Sequence, residues 1–311
     1  MSQYRVLVSC PLIMDDIESY DETFAAHDVS YDVPEVDQHL SESALLDIID
    51  RYHGVIAGDD EFTERVLDEA TNLQVISKWG IGIDGIDVDA AEKRGIAVRN
   101  TPGAFNNEVA DVVIGYAIML TRDLHRVDGA VRNGDWFCPR GVSLANRTFG
   151  IVGVGDIGAT VARRAHALGM DVLGNDVVPL PDPLRSETGI EPCDLDELLA
   201  QSDIVSLNCG LSPATRNLVG ADELELLGSD GYLINTARGE LVDQDALVDA
   251  LRVDEIAGAA LDVFQTEPLP DTSPLTTMEN VILGSHNAQN TAEAVARVND
   301  RAVENLLTEL T

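Results

Sequence analysis

Short apolar runs alternate with amphipathic segments along most of the chain. This alternation predicts parallel sheets whose strands are joined by crossover helices. In the first part of the chain, the predicted strands are Tyr4–Ser9, Gly54–Gly58, Gln74–Lys78 and Ile96–Arg99. Amphipathic patterns predict helices over Ser41–Arg51 and Thr63–Ala70. This first part contains no phosphate-binding glycine pattern.

A long helix is predicted over Asn107–Val131, with Asn106 as its N-cap. It has more apolar residues than a helix with one wet face needs, so we expect it to be buried between domains or subunits. The strands predicted after it are Phe149–Gly153, Asp171–Asn175, Ile204–Leu207, Gly231–Asn235, Ile256–Leu261 and Val281–Leu283. Six strands in a doubly wound order are typical of a dinucleotide-binding domain. A final helix, Thr291–Leu310, is long enough to return to the first domain.

The 311 residues exceed what a single core usually holds, which favours two domains. We therefore predict an α/β fold with two doubly wound parallel-sheet domains. Residues 1–99 with 290–311 form one domain, and residues 100–289 form a dinucleotide-binding domain inserted into it.

The chain is strongly acidic: 20 Lys and Arg residues stand against 55 Asp and Glu residues, a net charge of −35. A polyanion repels nucleic acid and anionic membranes, so we expect neither as a partner. The acids are spread along the chain and interleaved with apolar positions, which favours a solvated acidic surface over an acidic tail. Salt screens such self-repulsion, and we infer adaptation to a high-salt cytoplasm.

Neither a membrane span nor an export signal is evident. The longest apolar stretch without charge, Val112–Thr121, is too short to cross a bilayer, and the N-terminus lacks the pattern of a signal peptide. Cys10, Cys138, Cys193 and Cys209 are scattered and form no CxxC pair, so we expect no disulfide framework and no metal site. We expect a cytoplasmic protein.

A glycine motif follows the first strand of the second series. In this GxGxxG pattern, Gly153 permits a tight turn, Gly155 lets the backbone approach a pyrophosphate, and Gly158 lets the following helix pack closely. The motif alone is weak, because glycines often serve plain turns. Here an apolar strand precedes it and an amphipathic helix follows, which favours a dinucleotide site at the helix N-terminus.

An acid at the end of the next strand indicates which dinucleotide binds. Asp176 is placed to accept hydrogen bonds from ribose hydroxyls and to repel a 2′-phosphate. No Arg or Lys follows before Arg185, so NAD is favoured over NADP. The alternative is that Asp176 is one more surface acid of an acidic chain, but its position at a strand end favours the functional interpretation.

Three polar residues follow apolar strands: Arg238, Glu267 and His286. The carboxyl ends of strands line the ligand crevice of an open α/β sheet. An arginine there suits a carboxylate, and a histidine suits proton exchange with a carbonyl or hydroxyl. Each alone has a plain explanation as a solvated histidine, a helix-capping arginine or a turn glutamate. Together, beside a dinucleotide motif, they favour catalysis.

The order of these motifs resembles the D-isomer-specific 2-hydroxyacid dehydrogenase family, close to its phosphoglycerate dehydrogenase-like branch. The resemblance covers most of the chain and is carried by these segments: Lys78–Asp87, Asn100–Gly103, Val109–Asp111, Ile234–Gly239, Leu261–Phe264, Glu267–Pro268 and Ser285–His286. It implies a Rossmann NAD-binding domain inserted into a flavodoxin-like substrate domain. It also implies transfer of a hydride between NAD(H) and a small D-2-hydroxy or 2-oxo acid.

Roles for individual residues come from the same resemblance. Arg238 would hold the substrate carboxylate, His286 would exchange the proton at the 2-oxo group, and Glu267 would pair with His286 and raise its pKa. The amides of Gly80, Ile81 and Gly82 would bind the carboxylate. The implied NAD contacts beyond the glycines are Asp156, Ile157, Asp176, Cys209, Thr236 and Asp262. Two segments, Asn208–Ser212 and Asn287–Asn290, depart from the family pattern, which bears on substrate choice or cofactor geometry.

The substrate's side chain stays open. A phosphorylated substrate needs cations besides Arg238, and Lys78 and Arg140 are the nearest candidates among acidic loops. Both 3-phosphoglycerate and unphosphorylated acids such as glyoxylate, hydroxypyruvate or pyruvate are therefore considered. The resemblance and the apolar long helix suggest a homodimer. The rival function is a non-enzymatic protein of the same fold that senses NAD(H). A formate-type relative is disfavoured, because those enzymes carry Gln where Glu267 stands.

Overall fold

The computed structural model describes residues 3–36 and 38–311, which divide into two compact units. The first unit consists of the described residues among 1–104, together with 290–311, and the second of residues 105–289. The strands of the first unit are β1 (Tyr4–Val8), β2 (Val29–Asp32), β3 (Gly54–Ala57), β4 (Val75–Lys78) and β5 (Ala97–Arg99). Those of the second are β6 (Thr148–Val152), β7 (Asp171–Asn175), β8 (Glu191–Pro192), β9 (Ile204–Leu207), β10 (Tyr232–Asn235), β11 (Gly258–Leu261) and β12 (Val281–Leu283).

Helices of four to nineteen residues join the strands. In chain order they are α1 (Pro11–Met14), α2 (Asp21–Ala26), α3 (Glu42–Leu46), α4 (Glu64–Glu69), α5 (Val88–Lys93), α6 (Asn106–Thr121), α7 (Leu124–Arg132), α8 (Asp156–Ala167), α9 (Asp182–Thr188), α10 (Leu195–Gln201), α11 (Ala221–Leu227), α12 (Gln244–Arg252) and α13 (Ala292–Leu310). Short 3-10 helices cover Ile17–Tyr20, Ile49–Arg51, Gly239–Leu241 and Pro274–Thr277. None of the helices in the described residues is both long and apolar enough to cross a membrane.

The first unit has a five-stranded parallel sheet in the order β2-β1-β3-β4-β5, which is the flavodoxin-like order. Every residue of β3 and β4 is buried, as expected for parallel strands covered by helices on both faces. Helix α13 packs on β3 and β4. There, Ser77 Oγ donates a hydrogen bond to Ala302 O, and Trp79 Nε1 donates one to Asn299 Oδ1, both over 2.7 Å.

The second unit has a seven-stranded parallel sheet in the order β12-β11-β10-β9-β6-β7-β8. Its first six strands in chain order, β6–β11, have the order 3-2-1-4-5-6 of a doubly wound dinucleotide-binding sheet, and β12 is added at the edge beyond β11. The direction of winding reverses between β6 and β9. The carboxyl ends of these two neighbouring strands therefore flank the crevice in which such sheets bind ligands.

The predicted parallel α/β fold is confirmed, and the predicted strands lie within two residues of the observed ones. Two strands were not predicted. Strand β2 reads Val-Ser-Tyr-Asp, and only its valine is buried, so it has little apolar signal. Strand β8 has two exposed residues, Glu191 and Pro192, at the sheet edge where proline is tolerated. The second sheet therefore has seven strands where six were predicted.

The prediction of one helix over Asn107–Val131 is wrong. Helix α6 ends at Thr121, and Asp123 adopts the left-handed conformation (φ 53°) before α7 begins. An aspartate is one of the few residues that enter this region readily, because its short side chain can bond locally. Asn106 is also inside the helix, and Phe105 occupies the N-cap position. Helix α6 packs on α8, β10 and β11, whereas α7 has no buried residue.

The helix predicted over Ser41–Arg51 is also divided. Ser41 caps α3, where its Oγ accepts a hydrogen bond from Ala44 N, but α3 ends at Leu46. Ile48 then takes a non-helical conformation (φ −133°), and a 3-10 turn follows over Ile49–Arg51. This turn buries Ile49 fully, which satisfies the same apolar pattern without a continuous helix.

The first boundary between the units lies at Ala104–Phe105, a few residues beyond the predicted division after residue 99. Backbone carbonyls of the intervening segment accept hydrogen bonds from side chains of α13, so the segment belongs with the first unit. The pairs are Asn305 with Asn100 O, Arg301 with Pro102 O and Arg297 with Ala104 O. The second boundary lies between Gln289 and Asn290.

Candidate active site

The glycine loop joins β6 to α8, and two of its glycines are required by the fold. Gly153 has a φ of 87°, and a Cβ added to it would lie 2.5 Å from Cys209 N. A Cβ on Gly158 would collide with Gly153 O. Gly155 differs, because no protein atom lies within 4 Å of an added Cβ. The loop is thus closed against the protein at Gly153 and Gly158 and open at Gly155, as a pyrophosphate cradle requires.

The carboxylate of Asp176 is fixed against this loop. Its Oδ2 accepts a hydrogen bond from Val154 N at 2.7 Å, and its Oδ1 accepts one from Val178 N at 3.0 Å. Val177 and Val178, which follow, are exposed and uncharged. An acid bound to the loop backbone and followed by two valines fits the ribose hydroxyls of NAD and offers no cation to a 2′-phosphate.

The other predicted NAD contacts follow neighbouring strands of the same sheet. Asp156 and Ile157 occupy the first turn of α8, where the helix N-terminus favours a phosphate. Cys209 follows β9, and burial raises the pKa of its thiol to about 11, so it is a neutral thiol at pH 7. Thr236 follows β10 and is half-buried, and Asp262 follows β11 with only 1% of its surface exposed.

Arg238 stands in a turn that Asn235 shapes. The buried Asn235 side chain donates to Arg238 O at 2.8 Å and accepts from Ala237 N at 3.1 Å. Arg238 Nη1 donates to Ala237 O at 2.8 Å. The next residue, Gly239, lies directly against the backbone of Phe264, and any Cβ there would clash with it. The turn carrying Arg238 therefore contacts the segment that leads to Glu267.

Glu267 and His286 form a close pair. Nδ1 of His286 lies 2.7 Å from Oε2 of Glu267, while Oε1 of Glu267 accepts a hydrogen bond from Phe264 N at 2.8 Å. The two side chains are 19% and 21% exposed, so both keep some access to solvent or ligand. Since Nδ1 faces the carboxylate, the ring's other nitrogen, Nε2, is the atom that can exchange a proton with a ligand.

Asp262 holds the loop that carries His286. Its carbonyl accepts from His286 N at 2.7 Å, and its Oδ2 accepts from Ala288 N at 2.8 Å. His286 has a positive φ of 53°, a conformation that is rare outside glycine and needs surrounding contacts to hold it. From α6, the Tyr116 hydroxyl donates to Asp262 Oδ1 at 3.4 Å.

Asn235 and Tyr116 are supporting residues that the sequence analysis did not single out. Asn235 lies inside the arginine motif, at the end of an apolar strand, so its position in the sequence could have indicated a supporting role. Tyr116 had none, because it lies within an apolar helix and its partner is far along the chain.

The remaining predicted substrate residues lie in the first unit, where Lys78 ends β4 and Gly80, Ile81 and Gly82 follow it. Gly80 has a φ of 117°, which glycine alone adopts easily. Its amide donates to Thr101 Oγ1 at 3.1 Å, so this amide already has an acceptor within the protein. Asn100 Nδ2 donates to Ile81 O at 2.7 Å. Asn100 and Thr101 thus hold this loop in place.

The second unit brings the predicted NAD and catalytic residues to the carboxyl ends of its central and neighbouring strands. In the part of the chain that the structure describes, no three His, Cys, Asp or Glu residues are grouped so that they could hold a metal ion. The loop geometry fits NAD, and the pair of Glu267 and His286 fits proton exchange.

Comparison with known proteins agrees with this geometry. Residues 114–288 match the family model described as D-isomer specific 2-hydroxyacid dehydrogenase, NAD binding domain. A glyoxylate reductase of Thermofilum pendens is 40% identical over 86% of this chain and 81% of its own length. A D-3-phosphoglycerate dehydrogenase of Methanocaldococcus jannaschii is 35% identical over 93% of this chain and 54% of its own length.

A solved structure is similar to this chain over nearly its whole length. The D-lactate dehydrogenase of Aquifex aeolicus, in complex with NAD and lactic acid, superposes with a TM-score of 0.87. It is 28% identical, and the match covers 96% of this chain and 93% of that one. The chain therefore belongs to the D-isomer specific 2-hydroxyacid dehydrogenase family and is an NAD-dependent oxidoreductase that acts on the CH–OH group of its donor.

Proposed function

We propose that this enzyme interconverts a small 2-oxo acid, such as glyoxylate or hydroxypyruvate, and the corresponding D-2-hydroxy acid. The observation that carries the proposal is the 2.7 Å pair of Glu267 and His286, in the same unit as Arg238 and the glycine loop. An acid–base group, a carboxylate-binding cation and a dinucleotide loop are the three parts that this reaction needs.

His286 is the proposed acid–base catalyst. In the reductive direction its protonated ring donates a proton from Nε2 to the 2-oxo oxygen, and in the oxidative direction the neutral ring takes that proton back. Glu267 stabilises the charged ring and, through Nδ1, fixes which nitrogen faces the ligand. When bound, NAD(H) supplies or accepts the hydride at C2 of the substrate.

Arg238 is the proposed anchor of the substrate carboxylate. Its planar guanidinium can donate two parallel hydrogen bonds, and its positive charge also favours the electron density that builds on the 2-oxo oxygen. In the first unit, Lys78 and the amides of Ile81 and Gly82 are proposed as substrate-binding groups. Gly80 would act mainly by its backbone conformation, since its amide is bonded to Thr101.

NAD binding is proposed for the loop residues Gly153, Gly155 and Gly158, with the first turn of α8 at the phosphates. Asp176 would accept hydrogen bonds from the adenine-side ribose. Cys209, Thr236 and Asp262, at the ends of β9, β10 and β11, would adjoin the nicotinamide half. Each of these assignments rests on position at the strand ends.

A test of the function is the decay of NADH absorbance with a panel of glyoxylate, hydroxypyruvate, pyruvate and 3-phosphohydroxypyruvate in molar KCl. We expect turnover with at least one of these acids, and faster turnover with NADH than with NADPH. The His286→Ala variant should lose turnover and still bind NADH, as followed by cofactor fluorescence. NADH binding by the unchanged protein without turnover of any acid would instead favour an NAD(H)-sensing protein.

We further propose a homodimer built on the surface of α7 and the segment after it. Helix α7 has no buried residue, and Trp136 is 89% exposed. Other exposed apolar side chains in this part of the second unit are Ile118, Leu124, Val131, Phe137 and Val142. An apolar surface of this extent is typical of an interface with a second copy. Light scattering should give twice the chain mass, and Trp136→Glu should shift it toward the monomer.

A cytoplasmic location and adaptation to high salt are also proposed. All four cysteines are free thiols, which is compatible with a reducing compartment. The net charge of −35 sits on a folded chain rather than on a tail, and many ion pairs are exposed. Such a surface is compatible with a cytoplasm rich in salt, where its self-repulsion is screened.

A further inference from the structure

Lys78, the cation of the proposed substrate loop, has close polar neighbours. Lys78 ends β4, and its side chain is only 8% exposed. Its Nζ lies 3.4 Å from the position that a Cβ on Gly80 would take, so the ammonium group is beside the first residue of the proposed carboxylate-binding loop. Nζ also donates to Trp79 O at 2.8 Å, which holds the charge at this point.

Asp59 faces this ammonium group from the loop that follows the neighbouring strand, β3. Strands β3 and β4 pair with Ala57 opposite Lys78, and Asp59 follows shortly after the end of β3. The distance from Lys78 Nζ to Asp59 Oδ1 is 3.1 Å, and the Asp59 side chain is 47% exposed. The ion pair therefore lies at the carboxyl end of the sheet, with its acidic member toward solvent.

Two further titratable groups of the described residues interact with Lys78, Asp60 and Cys10, and neither is a cation. Asp60 is 1% exposed, and its carboxylate accepts hydrogen bonds from Ser9 Oγ, Leu40 N and Gly58 N. Cys10 is buried, which raises the pKa of its thiol to about 12 and keeps it neutral. One ammonium group thus stands among two carboxyl groups and a neutral thiol.

We propose that Asp59 is a specificity-determining residue that cancels the charge of Lys78 and so selects 2-oxo acids without a phosphate. This inference rests on the proposed function, because it assumes that the loop after β4 binds the substrate. A carboxylate can still be held by the loop amides. A phosphate carries up to two further negative charges, and it would need an uncompensated cation where Lys78 is already paired with Asp59. The substrate class is then unphosphorylated small acids.

The test compares kcat/KM for hydroxypyruvate with that for 3-phosphohydroxypyruvate in the full chain with NADH. The two acids differ in the phosphate, so their ratio isolates its recognition from general activity. Asp59→Asn keeps the size of the side chain and removes its charge. We expect it to raise the relative kcat/KM for the phosphorylated acid by about tenfold or more. Adding Lys78→Met to this variant should abolish the gain.

Asp68→Asn is the matched control. Asp68 forms an ion pair with Arg94 in the same unit, on α4, so this variant also breaks an Asp–cation pair, and it should leave the substrate ratio unchanged. Thermal melting and NADH binding show whether each variant is folded. An unchanged ratio in folded Asp59→Asn would overturn the inference, as would a wild-type enzyme that prefers the phosphorylated acid. Absence of turnover with every acid in the unchanged enzyme would instead overturn the proposed function.

Discussion

Glu267 and His286 are joined through Oε2 and Nδ1 at 2.7 Å, while the other oxygen of Glu267 is held by Phe264 N. The carboxylate is therefore fixed by the backbone of its own segment and presents one oxygen to the ring. Because a nearby negative charge favours the imidazolium form, we propose that Glu267 keeps His286 able to donate a proton to the substrate.

Glu267→Gln should lower kcat in the reductive direction by about tenfold to a hundredfold, since less of His286 is protonated. The alkaline limb of the kcat profile should move to lower pH, because the amide no longer stabilises the charged ring. Rates measured between about pH 5 and 9 under saturating NADH show both effects. Glu279→Gln, at an exposed glutamate of the same unit, should change neither. If the alkaline limb of the Glu267→Gln profile does not move, Glu267 has no role in proton exchange.

Arg238→Lys should weaken substrate binding although it keeps the positive charge. A lysine loses the two parallel hydrogen bonds that a guanidinium makes to a carboxylate, at a cost of about 2 kcal/mol, or roughly thirtyfold in kcat/KM. Steady-state kinetics with the best acid of the panel measures the loss. Arg216→Lys is the control, because Arg216 pairs with Glu240 at 3.9 Å in the same unit. Equal losses in the two variants would mean that Arg238 does not bind substrate.

Substitution by alanine should have different effects at Gly155 and at Gly158 of the cofactor loop. Gly155→Ala meets no protein atom within 4 Å and should leave the fold intact, yet weaken NADH binding by about tenfold or more, since the methyl group occupies the pyrophosphate's place. Gly158→Ala should destabilise the fold by about 1–3 kcal/mol, because its methyl group meets Gly153 O. Fluorescence titration and urea unfolding separate the two effects. Full NADH affinity in Gly155→Ala would contradict the loop assignment.

Asp60 should make the stability of the first unit depend on pH. Burial raises its pKa above the ordinary value of 3.8, so the folded state binds the proton more readily than the unfolded chain. This contribution to the free energy of unfolding is present below pH 3.8 and is lost as the pH rises through the folded-state pKa of Asp60. Asp60→Asn should remove that loss. Urea unfolding of both proteins between about pH 4.5 and 8 compares the slopes, and parallel slopes would exclude this role.

Salt should stabilise the protein more than a neutral solute does. With a net charge of −35, the folded chain repels itself, and this repulsion is screened as the Debye length falls from about 10 Å at 0.1 M to about 3 Å at 1 M. The melting temperature should therefore rise between low and molar KCl. The same concentration of sorbitol, which carries no charge, is the control. A melting temperature that does not rise with KCl would end the inference of adaptation to salt.

Local pattern was sufficient for ten of the twelve strands that the structure describes, for the glycine loop and for the order of the proposed catalytic residues. Apolar runs with a polar residue directly after them mark buried strands and their carboxyl ends, and both features are contained in a few adjacent residues. Gly153, Gly155 and Gly158 were recognisable for the same reason, since their spacing reflects one turn. The break between the helices at Asp123 was not recognisable, because an aspartate in a left-handed conformation has the same local sequence pattern as one inside a helix.

The amino-acid sequence by itself determined the parallel α/β architecture and the presence of Arg238, Glu267 and His286 at strand ends, because period and spacing are local properties. Only the tertiary structure decided which side chains meet. Examples are Tyr116 with Asp262, Gly80 with Thr101, and Lys78 with Asp59. Each of these pairs joins segments that are separated along the chain, and their contact depends on sheet register and packing, which no local pattern records.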